Sequence, residues 1–253
     1  MKFIINADDC GYSREVNDKI EECIKKGYIS STTIMANMPD VEQAKVLYDR
    51  YRNTISFGVH LNLTEGTPTI YNQQLLDENI YQIDDNGILK FNNDLSSTNK
   101  IFKKEICDAI FKELSAQIEI VMDLGIDFSH IDSHHHVHTR PFMLRILPRL
   151  QKKYHFDKIR RMRNHMPFSA SKIARQTWWY ILKCMTNDMK TTDYFTSFIS
   201  FMDATNGGYT TKDGTIELMV HPGGYENEIE EPLLWNTNLK ERFGAEIINY
   251  NQL

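Results

Sequence analysis

Short apolar, β-branched runs alternate with helix-period segments along nearly the whole chain, and that alternation leaves few folds open. Parallel strands need a crossover between them, usually a helix, so a strand–helix rhythm implies a parallel sheet covered on both faces. Lys2–Ala7 (KFIINA) is a strand that stops at Asp8, Asp9, Cys10 and Gly11. A helix follows: Val16, Ile20, Cys23 and Ile24 share one face, Ser13 caps the start and Gly27 the end. Ile29–Met35 and Ile55–Leu63 read as strands, with a helix at Val41–Tyr51 between them. Ile106 to Val121 is a long amphipathic helix closed by Gly125, and Phe128–Ser133 is the strand after it. Pro141 opens another helix. Strands are then expected near Lys158–Met162, Tyr194–Phe201, Ile216–Val220 and Ala245–Tyr250.

Six to eight such units in 253 residues favour a (β/α) barrel over an open sheet, and no repeat or linker divides it. One domain over 1–253 is therefore expected, with insertions at about 65–100, where Asn, Asp and Asp85-Asn86-Gly87 break the rhythm, and at 167–190. The net charge of −5 gives no reason for binding nucleic acid or an anionic membrane. No apolar run is long enough to span a bilayer and a strand begins at Lys2, so a cytoplasmic protein with free cysteines is expected.

Five of the nine histidines, His130, His134, His135, His136 and His138, crowd into nine residues around Asp132. Such density points to metal binding rather than to a solvated loop. An extended segment would put Asp132, His134, His136 and His138 on one face, and a helical turn would pair His134 with His138. Other polar residues stand at strand ends, where barrel enzymes place their chemistry: Asp8 and Asp9, then His60 and Asn62, then His221. Adjacent carboxylates on a strand point to opposite faces, so Asp8 and Asp9 reach one site only if the strand end twists. A division of labour follows, one acid binding the ion and the other serving as general base.

NADDCGYS, STTIMANMP, GVHLNLTEG, HIDSHHHVH and ELMVHPGG, in that order, resemble the motifs of the YdjC-like carbohydrate deacetylases, which act on substrates such as diacetylchitobiose. The resemblance implies a distorted (β/α) barrel, a divalent cation, Mg²⁺ in that family, and removal of an N-acetyl group from a small sugar. It implies Asp9, His60 and His134 as metal ligands, Asp8 as base, and catalytic roles for Arg160, Arg163 and His221. Two imidazoles and a carboxylate would equally suit Zn²⁺, Co²⁺ or Ni²⁺. His138 is the alternative third ligand, through the HxxxH spacing of the wider polysaccharide deacetylases. Asp132, Asn62 and His138 are further candidates for substrate contact. Cys10 replaces the phenylalanine usual after the two acids, which bears on packing and redox sensitivity. Trp178, Trp179, Tyr180 and Trp235 offer sugar-stacking surfaces, although aromatics so spaced more often pack a helix. The family often forms homodimers. The competing readings are another metal-dependent barrel hydrolase, an amidohydrolase or phosphoesterase, which usually opens with an HxH pair, and a non-catalytic carbohydrate- or metal-binding protein of the same fold.

Overall fold

The computed structural model describes residues 1–165, 172–185, 189–209, 213–224 and 227–253. The main sheet contains β1 (Lys2–Cys10), β2 (Ser31–Ile34), β3 (Ser56–Leu61), β6 (Ile131–Ser133), β7 (Tyr194–Ser197), β8 (Thr215–Val220) and β9 (Glu246–Ile247). Its order is β6-β3-β2-β1-β8-β7, with β9 beside the start of β1, and every pairing is parallel. The intervening helices are α1 (Arg14–Lys26), α2 (Val41–Tyr51), α4 (Lys104–Asp123), α5 (Leu147–Tyr154), α6 (Lys172–Met185), α7 (Phe198–Asn206), α8 (Asn227–Trp235) and α9 (Leu239–Phe243). The region from 65 to 100 adds α3 (Gln73–Asp77) and a separate antiparallel hairpin, β4 (Tyr81–Ile83) and β5 (Leu89–Phe91), outside the main sheet.

The sheet curls into a barrel, and its seam is irregular. Ile159 bridges to Ile131 beside β6, Lys158 bridges to Lys190, and the backbone N–H groups of Asn164 and His165 donate to the Phe195 carbonyl of β7. The strand expected near Lys158–Met162 is thus a connecting segment, because its backbone is divided between two neighbours and ladders with neither. Two other expected strands are shorter than their apolar runs. β7 ends where the Ser197 hydroxyl caps α7, and β9 ends before Asn249 caps the 3-10 turn Tyr250–Gln252. The helix expected at Pro141 is a 3-10 turn, Pro141–Arg145, leading into α5. The segment read as a second insertion carries α6, while 166–171 and 186–188 lie outside the described residues.

Apolar side chains fill the space between sheet and helices. Val16, Ile20 and Ile24 of α1 and Ile106, Ile110, Leu114 and Ile118 of α4 are buried there. The lumen is different. Alternate residues of the strands meet inside it, and these are polar and buried: Asn6 and Asp8 of β1, Thr33 of β2, His60 of β3 and Asp132 of β6 form one bonded chain, and Glu217 of β8 joins it through Arg160. Arg160 enters from the seam, also fully buried. Below this layer the Tyr250 ring stacks on His130 at 3.5 Å and 8°. His130 in turn covers Gly58, where a Cβ would come within 2.5 Å of the imidazole, so a side chain there would displace the ring. No helix among the described residues is long and apolar enough to cross a membrane.

Candidate active site

The two acids at the end of β1 reach one site because the strand breaks its register between Ala7 and Cys10. Asp9 takes a left-handed conformation, φ 68°, at this bulge. A non-glycine residue there is strained, and the strain turns both carboxylates to the same mouth. Cys10 then faces away, fully buried, with its thiol against the Asn17 side chain and pushed up to about 12 by burial. It is therefore held as an unreactive thiol.

Asp8 lies in the fork of Arg160. The two terminal guanidinium nitrogens donate to its two oxygens at 2.6 Å each, and Asn6 donates to Oδ1 at 2.9 Å. The same guanidinium meets Asp132 at 2.8 Å and donates through Nε to Glu217 at 2.7 Å. Burial alone would raise the Asp8 carboxyl, but the Arg160 charge and its hydrogen bonds outweigh burial and hold it well below the usual carboxylate range. Glu217 shows the opposite balance: burial prevails over Arg160 and lifts it to about 7.

Beside this pair, Asp9, His60 and His134 offer ligand atoms that all lie within 4.8 Å of one another. Asp9 Oδ1 is 3.2 Å from His60 Nε2 and 3.1 Å from His134 Nδ1. Each imidazole has its other nitrogen on a carboxylate, His60 Nδ1 at 2.6 Å from Asp132 and His134 Nε2 at 3.0 Å from Glu65. Such outer carboxylates orient metal-ligating histidines and raise their basicity. Burial opposes the charged imidazoles, yet the acids prevail, lifting His60 to about 10 and His134 to about 9. Two nitrogens and one carboxylate converging in this way fit a divalent cation. A second group, Asp8, His60 and Asp132, has similar spacing, but both Asp8 oxygens and one Asp132 oxygen meet Arg160.

The histidine-rich segment is neither an extended run nor a helix. His134–Thr139 is a 3-10 turn interrupted by left-handed His135 and His136, so His134 joins the cluster while His138 turns away. His138 is fully buried, with Nδ1 on Ser133 and Nε2 on the Arg160 carbonyl, and burial pushes it down to about 3. Arg163 points to the hydroxyls of Thr196, Ser197 and Ser200, whereas Arg160 meets Asp8. His221 is partly exposed, and its charge is among those that lower Asp8. Asn62 is buried in the loop after β3, accepting from the backbone of Thr64 and Glu65 and donating to the Glu65 carbonyl, so it shapes the loop that carries Glu65. Among the aromatics, Trp178 donates to the Thr139 carbonyl, Trp179 is buried, and Trp235 lies under Lys19 and Lys26; Tyr180 is exposed.

Glu65, Glu217 and Thr33 are site neighbours that the sequence reading did not single out. Thr33 hydroxyl lies 3.1 Å from both His60 Nδ1 and Asp132 Oδ2. Glu217 had a signal, since a lone acid inside the apolar run Ile216–Val220 needs a buried partner.

Residues 2–244 match the YdjC-like protein family. A carbohydrate deacetylase of Vibrio cholerae is 36% identical over 155 residues, 61% of this chain and only 57% of that protein's length. A carbohydrate deacetylase of Vibrio parahaemolyticus is 28% identical over 272 residues, 100% of this chain and 96% of that one. The fold is shared with the crystal structure of an Enterococcus faecalis protein assigned to cellobiose-phosphate cleavage, with a TM-score of 0.73, 22% identity, and coverage of 99% of this chain and 98% of that one. The match across residues 2–244, borne by a barrel with its acids and imidazoles at one mouth, makes the chain a member of the YdjC-like protein family.

Proposed function

We propose that this protein is a metal-dependent carbohydrate deacetylase that removes the N-acetyl group from a small acetylated amino sugar such as diacetylchitobiose. One observation carries the reading: a convergent Asp9, His60 and His134 set stands directly beside an Asp8 carboxylate held ionised by Arg160. The names of the relatives at 36% and 28% identity support it. Asp9, His60 and His134 would hold the cation, with Asp132 and Glu65 orienting the two imidazoles. Magnesium follows from the family resemblance, whereas two nitrogen donors favour Zn²⁺, Co²⁺ or Ni²⁺.

A divalent cation bound there supplies a Lewis acid that polarises the acetamide carbonyl and acidifies water. Asp8 is the proton acceptor for the attacking water, since its carboxylate stays ionised throughout the neutral range. Arg160 fixes that carboxylate and is itself buried from substrate. The amine needs a proton to leave, and His221 is the better placed donor, because both ring nitrogens of His138 are occupied inside the fold. A cytoplasmic homodimer acting as one domain over 1–253 belongs to the same proposal, and ultracentrifugation tests its oligomeric part. The central experiment is acetate release from diacetylchitobiose with and without a chelator. Release that stops on chelation and returns with a divalent ion supports the reading; chelator-insensitive release overturns the metal's role, and no release from any acetylated amino sugar overturns the activity.

A further inference from the structure

The Arg160 fork has a third tie besides Asp8 and Asp132. Asp8 and Asp132 hold the guanidinium at its terminal nitrogens, and the in-plane Nε–H is the donor that can fix it at the opposite edge. Here Nε donates to Glu217 Oε1 at 2.7 Å, and Glu217 Oε2 accepts the Tyr250 hydroxyl at 2.6 Å. Tyr250 is rigid in its turn: its ring stacks on His130, and its backbone N–H donates to the Ser56 hydroxyl at 3.1 Å. Glu217 takes no place in either group of candidate metal ligands among the described residues.

We propose that Glu217, locked by Tyr250, is a positioning residue that sets the plane of the Arg160 guanidinium and thereby the aim of the Asp8 carboxylate. A purely stabilising role fits poorly. Burial opposes the ionised form of Glu217, and buried ion pairs of this sort commonly stabilise a fold no better than well-packed apolar residues do. What a carboxylate supplies and an apolar residue lacks is two directed acceptors, both of them used here. The inference rests on the deacetylase reading for its kinetic readout only.

The test compares Glu217→Gln, Glu217→Leu and Tyr250→Phe in the full chain, each loaded with the divalent ion that supports wild-type activity. Glutamine keeps a carbonyl acceptor for Arg160 Nε, and kcat should stay within about 3-fold of wild type. Leucine removes the acceptor, and kcat should fall by about 10- to 100-fold, the scale of a slightly misaimed catalytic group, with KM changed less than about 3-fold and metal content unchanged. Tyr250→Phe retains the stacked ring and should fall between them. A second readout is independent of activity: the ¹⁵N signal of the Arg160 Nε–H, assigned by its absence in Arg160→Lys, should shift in Tyr250→Phe and exchange faster with solvent in Glu217→Leu. If Glu217→Leu does not fold, Tyr250→Phe decides alone. Wild-type kcat in folded, metal-loaded Glu217→Leu or Tyr250→Phe would overturn the proposal, as would an Arg160 signal indifferent to Tyr250→Phe. A wild-type protein that releases no acetate sinks the deacetylase reading, while the Arg160 signal still decides the positioning.

Discussion

Both oxygens of Asp8 accept from Arg160 at 2.6 Å, whereas its neighbour Asp9 is paired with His60 and His134. Adjacent acids of equal charge are thus assigned to different partners, and their loss should have different effects. Asp9→Asn should empty the metal site, because it removes the only carboxylate of the set. Asp8→Asn should keep the ion and lower kcat by about 100-fold or more, with KM changed much less. Metal analysis with steady-state kinetics checks both, and the reverse pattern would exchange the two roles.

His60→Ala should lose bound metal, while His138→Ala should retain most of it, since His138 is bonded to Ser133 and to the Arg160 carbonyl and not to the cluster. Elemental analysis after dialysis distinguishes them. Metal that survives the first change and vanishes with the second would restore the HxxxH arrangement.

Arg160→Gln should destabilise the fold by about 3–5 kcal/mol at neutral pH, because it leaves buried Asp8 and Asp132 without their cation. The Asp8 carboxyl is held below its ordinary value of 3.8, so its stabilisation is present above that pH and lost as pH falls toward the folded value. The deficit of the variant should accordingly narrow below about pH 4. Urea denaturation across pH measures it, and a deficit under about 1 kcal/mol at pH 7 would contradict the account.

Glu217 carries the opposite sign. Its ordinary value is 4.5 and its folded value about 7, so the folded protein holds a proton that the unfolded chain has already released, and stability falls as pH rises through that window. Glu217→Gln removes this term. With a chelator present, the variant should gain on wild type by on the order of 2–3 kcal/mol between pH 4 and pH 8. Parallel stability curves for the two proteins would show that Glu217 is ionised throughout.

Alkylation of the native protein should label Cys184, the exposed cysteine, and spare Cys10, Cys23 and Cys107, which are buried. Burial has also pushed the Cys10 and Cys23 thiols up to about 12, leaving little thiolate at neutral pH. Mass spectrometry of the labelled peptides gives the answer; modification of Cys10 without unfolding would show that the end of β1 opens.

Periodicity and capping residues made α1 legible at both ends, through Ser13 and Gly27, while apolar spacing alone marked α2. Asp8, Asp9 and His60 were legible as polar residues at the ends of apolar runs and His134 as one of a histidine cluster, but it was the family resemblance that grouped the four. What was hidden depended on distant contacts. The connecting segment through Arg160 has strand-like residues, but its backbone is shared between two sides of the seam. The direction of each histidine was equally hidden, because the left-handed pair His135 and His136 reverses the chain where neither period-2 nor helical spacing applies. Glu65 lies in a stretch whose polarity reads only as loop, and its contact with His134 crosses 69 residues.

The bonds that define the lumen join residues far apart in the chain: Asp8 to Arg160 across 152 positions, and Tyr250 to Ser56 across 194. Closing loops of that length must precede the contacts that reward it, which makes such pairings late events in folding. A nascent or partly refolded chain that has formed α1, α2 and the first strands therefore has Asp8 without its arginine and Arg160 without a carboxylate. Recovery of activity after dilution from denaturant should lag behind recovery of helical circular dichroism, so that catalytic competence itself reports completion of the barrel.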